Sequence, residues 1–131
     1  MEGIKLLLVE DNVLNQKLIF LTLSKYGFKI DVANNGQEAL NKLDKKHFDV
    51  ILMDLMMPVM DGLEATQNIR KREEENIYDK KNLIIGLTAN TYDADREKCL
   101  RKGMDEYMAK PFDIEKFKSI LSGFGLKLSQ E

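Results

Sequence analysis

Four apolar runs in this chain each end at polar residues, and this repeated pattern limits the folds available to it. Short, nearly continuous apolar runs are typical of parallel strands that are buried on both faces. In an open parallel sheet, ligands bind beyond the carboxyl ends of the strands. The pattern therefore predicts that polar groups distant in sequence gather at one edge of one sheet. The runs and the residues that end them are 6–9 with Glu10 and Asp11, 48–53 with Asp54, 83–87 with Thr88, and 107–109 with Lys110 and Pro111.

Length and composition predict a single compact domain over residues 1–131. The chain has 131 residues, and its 44% apolar residues are enough to build one core. A formal charge of −2, with acids and bases interspersed, offers no basic face for nucleic acid and no polybasic membrane anchor. The sequence shows neither a membrane span nor a signal peptide, and its single cysteine permits no internal disulfide. We therefore expect a soluble, cytoplasmic domain.

Strand-like and helix-like stretches alternate along the chain, as in repeated βα units. Right-handed crossovers between parallel strands place helices on both faces of the sheet. The predicted fold class is α/β, with five βα units forming three layers around a doubly wound parallel sheet. Strands are predicted at 5–9, 28–33, 48–54, 83–88 and 105–109, and helices at 13–26, 37–46, 63–71, 92–101 and 112–121.

Two predicted helices have patterns that can be compared directly with a structure. In the first helix, residues at helical spacing are Val13, Leu14, Leu18, Leu21 and Thr22, and Gly27 ends the pattern. After the third helix, the charged stretch 70–81 is predicted to extend the helix and then to form an exposed connection.

The predicted edge of the sheet brings three carboxylates together. Like charges this close push a carboxyl group toward its neutral form unless a cation is present. Mg²⁺ suits such a site, because it takes oxygen ligands, keeps several waters and can be completed by a phosphate. A cation there also favours attack by a carboxylate on a phosphoryl group, which gives an aspartyl phosphate. We predict Asp54 as the nucleophile, with Glu10 and Asp11 at the cation and Lys110 and the Thr88 hydroxyl on the phosphate.

Each of these residues also has a structural explanation. Asp11 or Asn12 can simply cap the first helix, and the pair of acids alone is weak evidence for a metal. A Thr after a strand commonly just ends it, and a Lys there is commonly solvated. The combination is more informative, because packing alone does not require all these groups at one edge.

Four segments carry a resemblance to a known family: LVEDN at 8–12, MDLMMPVMDG at 53–62, LTAN at 87–90 and GMDEYMAKP at 103–111. Together they resemble the receiver domain of two-component response regulators, including the receivers of hybrid histidine kinases, over about residues 4–121. The resemblance implies a flavodoxin-like sheet with the strand order 2-1-3-4-5. It also implies a regulatory phosphoacceptor rather than an enzyme, which takes its phosphoryl group from a histidine kinase or a histidine phosphotransfer protein.

The resemblance also assigns roles at the site. Asp54 is the implied phosphoacceptor, and Mg²⁺ is held by Glu10, Asp11, Asp54 and the backbone carbonyl of Met56. Lys110 matches the phosphate-contacting lysine, and the Lys110–Pro111 peptide bond matches one that is commonly cis.

Thr88 and Tyr107 match the switch pair of the family. Phosphorylation adds about −1.5 to −2 charge, which should draw Thr88 and Lys110 inward and move Tyr107 from an exposed to a buried rotamer. The surface of the fourth helix, fifth strand and fifth helix would then change, and partners would bind there. A homodimer through this face is left open. Met56 and Asn90 flank the expected path of attacking water, and we hypothesise that the apolar Met56 slows loss of the phosphoryl group.

Other functions fit the sequence less well. An aspartate-dependent phosphohydrolase of the haloacid dehalogenase type needs a second Asp two positions after the nucleophile, where this chain has Met56. A dinucleotide or flavin binder would need a glycine-rich first turn, which is absent from 10–13. His47 is a lone histidine before a strand and is expected at the surface. A receiver that acts only as an unphosphorylated interaction module remains the alternative.

The sequence leaves the context of the chain open. It fits a stand-alone regulator, a phosphorelay intermediate or the receiver of a hybrid kinase. The segments LTAN and DLMMP favour the hybrid type.

Overall fold

A computed structural model describes residues 3–78, 80–89 and 93–126 of the chain. Strands and helices alternate through these residues, as the sequence predicts, and the predicted bounds differ from the observed ones by a few residues. The elements are β1 (Lys5–Val9), α1 (Val13–Ser24), β2 (Lys29–Ala33), α2 (Gly36–Leu43), β3 (Val50–Asp54), α3 (Gly62–Glu74), β4 (Ile84–Thr88), α4 (Asp93–Arg101), β5 (Glu106–Ala109) and α5 (Ile114–Gly123).

The five strands form one parallel sheet in the order β2-β1-β3-β4-β5, which confirms the predicted fold. After β1 the chain first extends the sheet to one side with β2 and then to the other side with β3, β4 and β5. The direction of winding therefore reverses between β1 and β3, and ligands of doubly wound sheets bind at this point.

Helices cover both faces of the sheet and bury two separate apolar clusters. On one face, α1 and α5 contribute Ile19, Leu23, Phe117 and Leu121 to a cluster with alternate strand residues. The other face is covered by α2, α3 and α4, and its cluster takes the remaining strand residues. The strands β1, β3 and β4 are almost wholly buried, as expected for a parallel sheet between two helical layers.

Polar side chains cap the N-terminal ends of four of the helices. Asn12, Asn35 and Asp61 each accept a hydrogen bond from the backbone N–H three residues later, and Asp113 caps α5. These side chains satisfy backbone donors that would otherwise lack partners. Because Asn12 is the cap of α1, the preceding Asp11 is not needed for that purpose.

The outward face of α1 is apolar, whereas the outward face of a simple amphipathic helix is polar. The sequence correctly predicts a helix here, but Leu14, Leu18 and Leu21 are 65%, 55% and 62% exposed. The residues that pack against the sheet are Ile19 and Leu23. The helix is apolar on both sides, so its spacing predicts the helix but does not identify the buried face.

The predicted extension of the third helix into the charged stretch 70–81 is confirmed, but the expected exposure of this stretch is wrong at its beginning. Helix α3 continues to Glu74, and the side chains of Arg70 and Glu73 are only 14% and 11% exposed. The Arg70 guanidinium donates to the carbonyls of Asn82 and Gly103 and pairs with Asp105. Later residues in the segment, such as Lys80 and Lys81, are exposed as expected.

None of the helices in the described ranges is long and apolar enough to cross a membrane.

Candidate functional site

The register of the sheet brings the predicted polar residues to one edge. Val9 pairs with Met53, so the next residue, Glu10, lies beside the strand that ends at Asp54. On the other side of β3, Asp54 pairs with Leu87, which precedes Thr88. The ladder continues beyond the last pair of β4 and β5, where the Lys110 N–H donates to the Thr88 carbonyl at 2.7 Å.

Asp54 lies almost completely buried at the centre of this edge, with 2% exposure. Its Oδ1 is 3.0 Å from the Lys110 ammonium and accepts a hydrogen bond of 3.3 Å from the Met56 N–H. Both contacts fall on the same oxygen, so Oδ2 remains free of these two interactions. The arrangement holds one carboxylate oxygen in place and presents the other.

Glu10 is also buried, although no cation lies within hydrogen-bonding distance of it. Its Oε2 accepts a hydrogen bond from the Asn12 N–H at 3.1 Å, and the Lys110 ammonium is 3.9 Å from Oε1. Burial, together with the neighbouring Asp54 carboxylate, raises the pKa of Glu10 from 4.5 to about 7, against the lowering effects of the Asn12 N–H and the Lys110 charge. The carboxyl group therefore lacks sufficient compensation for its negative charge.

The residues at this edge fit a divalent cation. Glu10, Asp11 and Asp54 each offer a carboxylate oxygen, and these oxygens lie within 4.8 Å of one another. Within residues 3–78, 80–89 and 93–126, Glu10 Oε1 is the only buried side-chain polar atom without a hydrogen-bond partner. A buried carboxylate oxygen without a donor needs a cation or water, because its desolvation is otherwise uncompensated. The oxygen-only donor set is the kind that Mg²⁺ prefers.

The remaining predicted residues surround this cluster at different depths. Thr88 is buried, and Tyr107 is half-buried against the cluster under α2, α3 and α4. The Lys110–Pro111 peptide bond is cis. Met56 is 77% exposed in the loop after β3, while Met53 is in the core. Asn90, and the predicted helix start at Tyr92, lie outside the described residues.

Two further residues shape the site but carry no obvious chemical signal in the sequence. A Cβ atom on Gly62 would lie 2.3 Å from the Asp54 carbonyl oxygen, so α3 can begin this close to Asp54 only with glycine. Gln16 in the first turn of α1 donates to the carbonyl of Glu10. In the sequence, Gln16 is only a polar residue in the first turn of the helix that follows Glu10. That position does not reveal that its side chain binds the Glu10 carbonyl.

The chain matches a protein-family profile described as response regulator receiver domain over residues 6–122. Among curated relatives it is 39% identical over 121 residues to hybrid signal transduction histidine kinase K of Dictyostelium discoideum, covering 90% of this chain. Hybrid signal transduction histidine kinase B of the same organism is 45% identical over 114 residues, covering 82% of this chain. The alignments cover only 10% and 6% of the length of these two relatives.

Solved structures show the same likeness. The receiver domain of the sensor histidine kinase PA1611 from Pseudomonas aeruginosa is 40% identical, with a TM-score of 0.80 over 92% of this chain and 96% of the other. That structure has a magnesium ion coordinated in its active-site cleft. A Saccharomyces cerevisiae complex of the histidine phosphotransfer signalling protein Ypd1 with the receiver domain of its downstream response regulator Ssk1 also matches. The TM-score is 0.84 at 35% identity, over 92% of this chain and 88% of the matched chain.

Proposed function

The chain belongs to the response regulator receiver family of two-component systems and phosphorelays, and on this basis we propose that Asp54 is its phosphoacceptor. The observation that carries the proposal is the buried Asp54, with Lys110 3.0 Å away and two further carboxylates beside it. Among the acidic side chains at this edge, Asp54 is the one that the lysine contacts at hydrogen-bonding distance. A buried, oriented carboxylate beside a fixed cation is suited to nucleophilic attack on phosphorus.

The proposed donor is a phosphohistidine of a histidine kinase or a histidine phosphotransfer protein. Asp54 Oδ2 attacks phosphorus, the P–N bond to the imidazole breaks, and its electron pair returns to the imidazole nitrogen. If the other ring nitrogen of the phosphohistidine carries a proton, the products are an acyl phosphate on Asp54 and a neutral histidine on the donor, so no further proton is needed. Lys110 stays beside Oδ1 and can follow the new charge onto the phosphoryl oxygens.

We assign the cation site to Glu10, Asp11, Asp54 and the backbone carbonyl of Met56. Mg²⁺ bound there would supply charge neutralisation of the phosphoryl oxygens and of the clustered carboxylates. The protein's own contribution is to bury Glu10 and Asp54 and to keep their side chains close together.

Phosphorylation is proposed to change the surface at the other side of β4. New negative charge at Asp54 draws the Thr88 hydroxyl and Lys110 toward the phosphoryl oxygens. Tyr107, already half-buried, then moves further inward and alters the face formed by α4, β5 and α5. Partners, or a second copy of the chain, would recognise this changed face.

The exposed apolar side of α1 is the proposed docking surface for the phosphodonor. Its leucines lie along one side of the helix at positions 14, 18 and 21. A groove of about 440 Å³ continues from Leu18 to Glu10 and Lys110, so the surface leads directly to the acceptor. A helical partner would bury these side chains and bring its own histidine to the edge of the sheet.

Phosphorylation of the purified protein tests the proposed acceptor. With acetyl phosphate or phosphoramidate and Mg²⁺, the intact mass should rise by one phosphoryl group, and Asp54→Ala should abolish the change. Asp49→Ala removes a carboxylate just before the same strand, which accepts from the Lys5 N–H at the opposite end of the sheet; it is the matched control and should still be phosphorylated. An unmodified wild-type mass with every donor would leave only the unphosphorylated interaction module.

A further inference from the structure

Glu10 is held at three of its polar atoms. Its N–H donates to the Ala33 carbonyl at 3.0 Å, its Oε2 accepts from the Asn12 N–H at 3.1 Å, and its carbonyl accepts from the Gln16 side chain. The fourth polar atom, Oε1, is the buried oxygen without a hydrogen-bond partner. The protein therefore fixes the backbone and one oxygen of Glu10, and leaves the other oxygen available to a cation.

Gln16 connects the ends of two neighbouring strands. Its amide nitrogen donates to the Glu10 carbonyl just after β1 and also to Asn34 Oδ1, at 2.7 Å, just after β2. One primary amide has two hydrogens, so both donors of Gln16 are used. The hydrogen bond from Gln16 holds the Glu10 carbonyl, and the hydrogen bond to the Ala33 carbonyl holds the Glu10 N–H. Together they fix the peptide groups on both sides of Glu10.

Asn34 is itself oriented by a carboxylate. Glu38 Oε1, in the first turn of α2, accepts from both the backbone N–H and the side-chain amide of Asn34, each at 3.0 Å. Because the side-chain nitrogen of Asn34 donates to Glu38, its Oδ1 must be the atom that faces Gln16. The Glu38 N–H is bound by the helix cap Asn35. A continuous chain of hydrogen bonds thus runs from α2 through Asn34 and Gln16 to Glu10.

We propose that Gln16, supported by Asn34, is a positioning residue for the divalent-cation site. This inference rests on the proposed function, since it concerns the same cation. Gln16 does not contact the cation. It holds the Glu10 carbonyl in place, and it thereby sets the direction in which Glu10 and Asp11 present their carboxylates toward Asp54. Removing a residue that hydrogen-bonds to a metal ligand commonly lowers metal affinity 10–100-fold. Because Gln16 binds the backbone of Glu10 and not its carboxylate, we expect the loss to be at the lower end of this range, about tenfold.

Replacing Gln16 with methionine removes both donors while retaining the length and the helix propensity of the side chain. We expect Gln16→Met to weaken Mg²⁺ binding about tenfold in calorimetric titration. The rise in unfolding temperature that Mg²⁺ produces should shrink accordingly at a fixed Mg²⁺ concentration. This second readout separates positioning from a general loss of stability, which would lower the unfolding temperature equally with and without the metal.

Gln37→Met is the matched control. The Gln37 amide also donates to an asparagine, Asn41 Oδ1 at 3.2 Å, but on the exposed side of α2 and away from the site. Its Mg²⁺ affinity should equal that of the wild type. Asn34→Ala completes the test: because Asn34 acts through Gln16, a combined Gln16→Met and Asn34→Ala variant should lose less affinity than the sum of the single variants, and an additive loss would overturn the role of Asn34.

Two results would overturn the proposal, and they are distinguishable. If wild type binds Mg²⁺ and Gln16→Met binds it equally well, Gln16 has no positioning role. The same holds if Gln16→Met lowers the unfolding temperature equally with and without the metal. If wild type itself binds no Mg²⁺, the cation site of the proposed function fails, and the inference fails with it.

Discussion

At the residue scale, the site is defined by carboxylates whose charge the protein does not fully compensate. Asp54 has Lys110 at 3.0 Å, whereas the same ammonium is 3.9 Å from Glu10. One lysine therefore serves two buried acids, with Asp11 exposed beside them. This excess of negative charge is unfavourable for the metal-free protein and becomes favourable once a cation binds.

The first residue-scale prediction concerns the stability of the metal-free protein. The pKa of Glu10 is raised to about 7, so the folded protein keeps a proton that the unfolded chain releases near pH 4.5. Its contribution to the free energy of unfolding therefore falls as the pH rises from about 4.5 to about 7, by about 3 kcal/mol in total.

Glu10→Gln cannot ionise and should remove this dependence. In buffer with a chelator, the variant should gain stability relative to wild type between pH 5 and pH 8, as measured by urea unfolding. With saturating Mg²⁺ the advantage should disappear, because only wild type retains the carboxylate ligand. If the free energies of unfolding of wild type and Glu10→Gln differ by the same amount at pH 5 and at pH 8, the assigned pKa is contradicted.

A second residue-scale prediction concerns the lifetime of the phosphorylated form. Met56 is exposed beside Asp54 and offers no hydrogen bond to an attacking water. Met56→Asn places an amide there that can orient water, so the phosphoryl group should be lost severalfold faster when decay is followed by intact mass. Val59→Asn is the control in the same loop, because Val59 is also exposed and asparagine tolerates its positive φ of 71°. Unchanged or slower decay in Met56→Asn would refute the hypothesis.

At the element scale, α1 serves two surfaces at once. Ile19 and Leu23 pack against the sheet, and the leucines at 14, 18 and 21 face outward. A helix that is apolar all round is normally buried on all sides. The outward side of α1 is therefore the strongest indication, among the described elements, of a surface that a partner covers.

Polar substitutions on α1 should separate docking from chemistry. Leu14→Gln with Leu21→Gln should slow phosphotransfer from a phosphorylated histidine phosphotransfer protein about thirtyfold, since two truncated apolar contacts at an interface together cost about 2 kcal/mol. Phosphorylation by acetyl phosphate should be unchanged, because the small donor needs no docking surface. Ile77→Gln, which changes another exposed apolar residue away from the site, should affect neither reaction. Equal loss with both donors would argue against docking on α1.

At the scale of the whole molecule, the two ends of the sheet differ in how fully their charged groups are paired. The end that carries Asp54 contains the unpartnered oxygen of Glu10. The opposite end is closed by Arg70, which joins α3 to Asn82, two residues before β4, and to the turn before β5 through bonds of 2.7–2.8 Å. Asp105 also accepts from the Ile84 N–H, so the charges there are paired and hydrogen-bonded. One end is thus fixed by satisfied polar groups, while the other keeps unmet charge for a ligand.

Arg70 should contribute much more to stability than its neighbour Arg72. Arg70→Met leaves Glu73 partly buried without its cation and leaves Asp105 only the exposed Lys81 at 3.9 Å, so it should lower the free energy of unfolding by about 3 kcal/mol. Arg72 pairs with Asp44 nearer the surface, so Arg72→Met should cost about 1 kcal/mol or less. Chemical denaturation of both variants checks the contrast, and equal losses would show that the Arg70 network has no special role.

The order of the secondary structure and the chemical groups of the site could be predicted from the sequence. Each apolar run identifies a strand, and the residue that follows it lies at the carboxyl end whatever the neighbouring strands are. For this reason the placement of Glu10, Asp54 and Lys110 at the same edge needs only the parallel direction of the strands. Their contact also needs the strand order β1-β3-β4-β5, which the local patterns do not give.

Only the tertiary structure decided which side chains meet across elements. Periodicity shows which residues of α1 share a side, but the packing of the sheet selects Ile19 and Leu23 over the exposed leucines. Likewise, the burial of Arg70 depends on the carbonyls of Asn82 and Gly103, which are 12 and 33 residues away in the sequence. The role of Gln16 depends on the register of β1 beside β2. Local sequence determines the conformation of each element, whereas burial and hydrogen-bond partners are set by contacts between elements, which no single segment encodes.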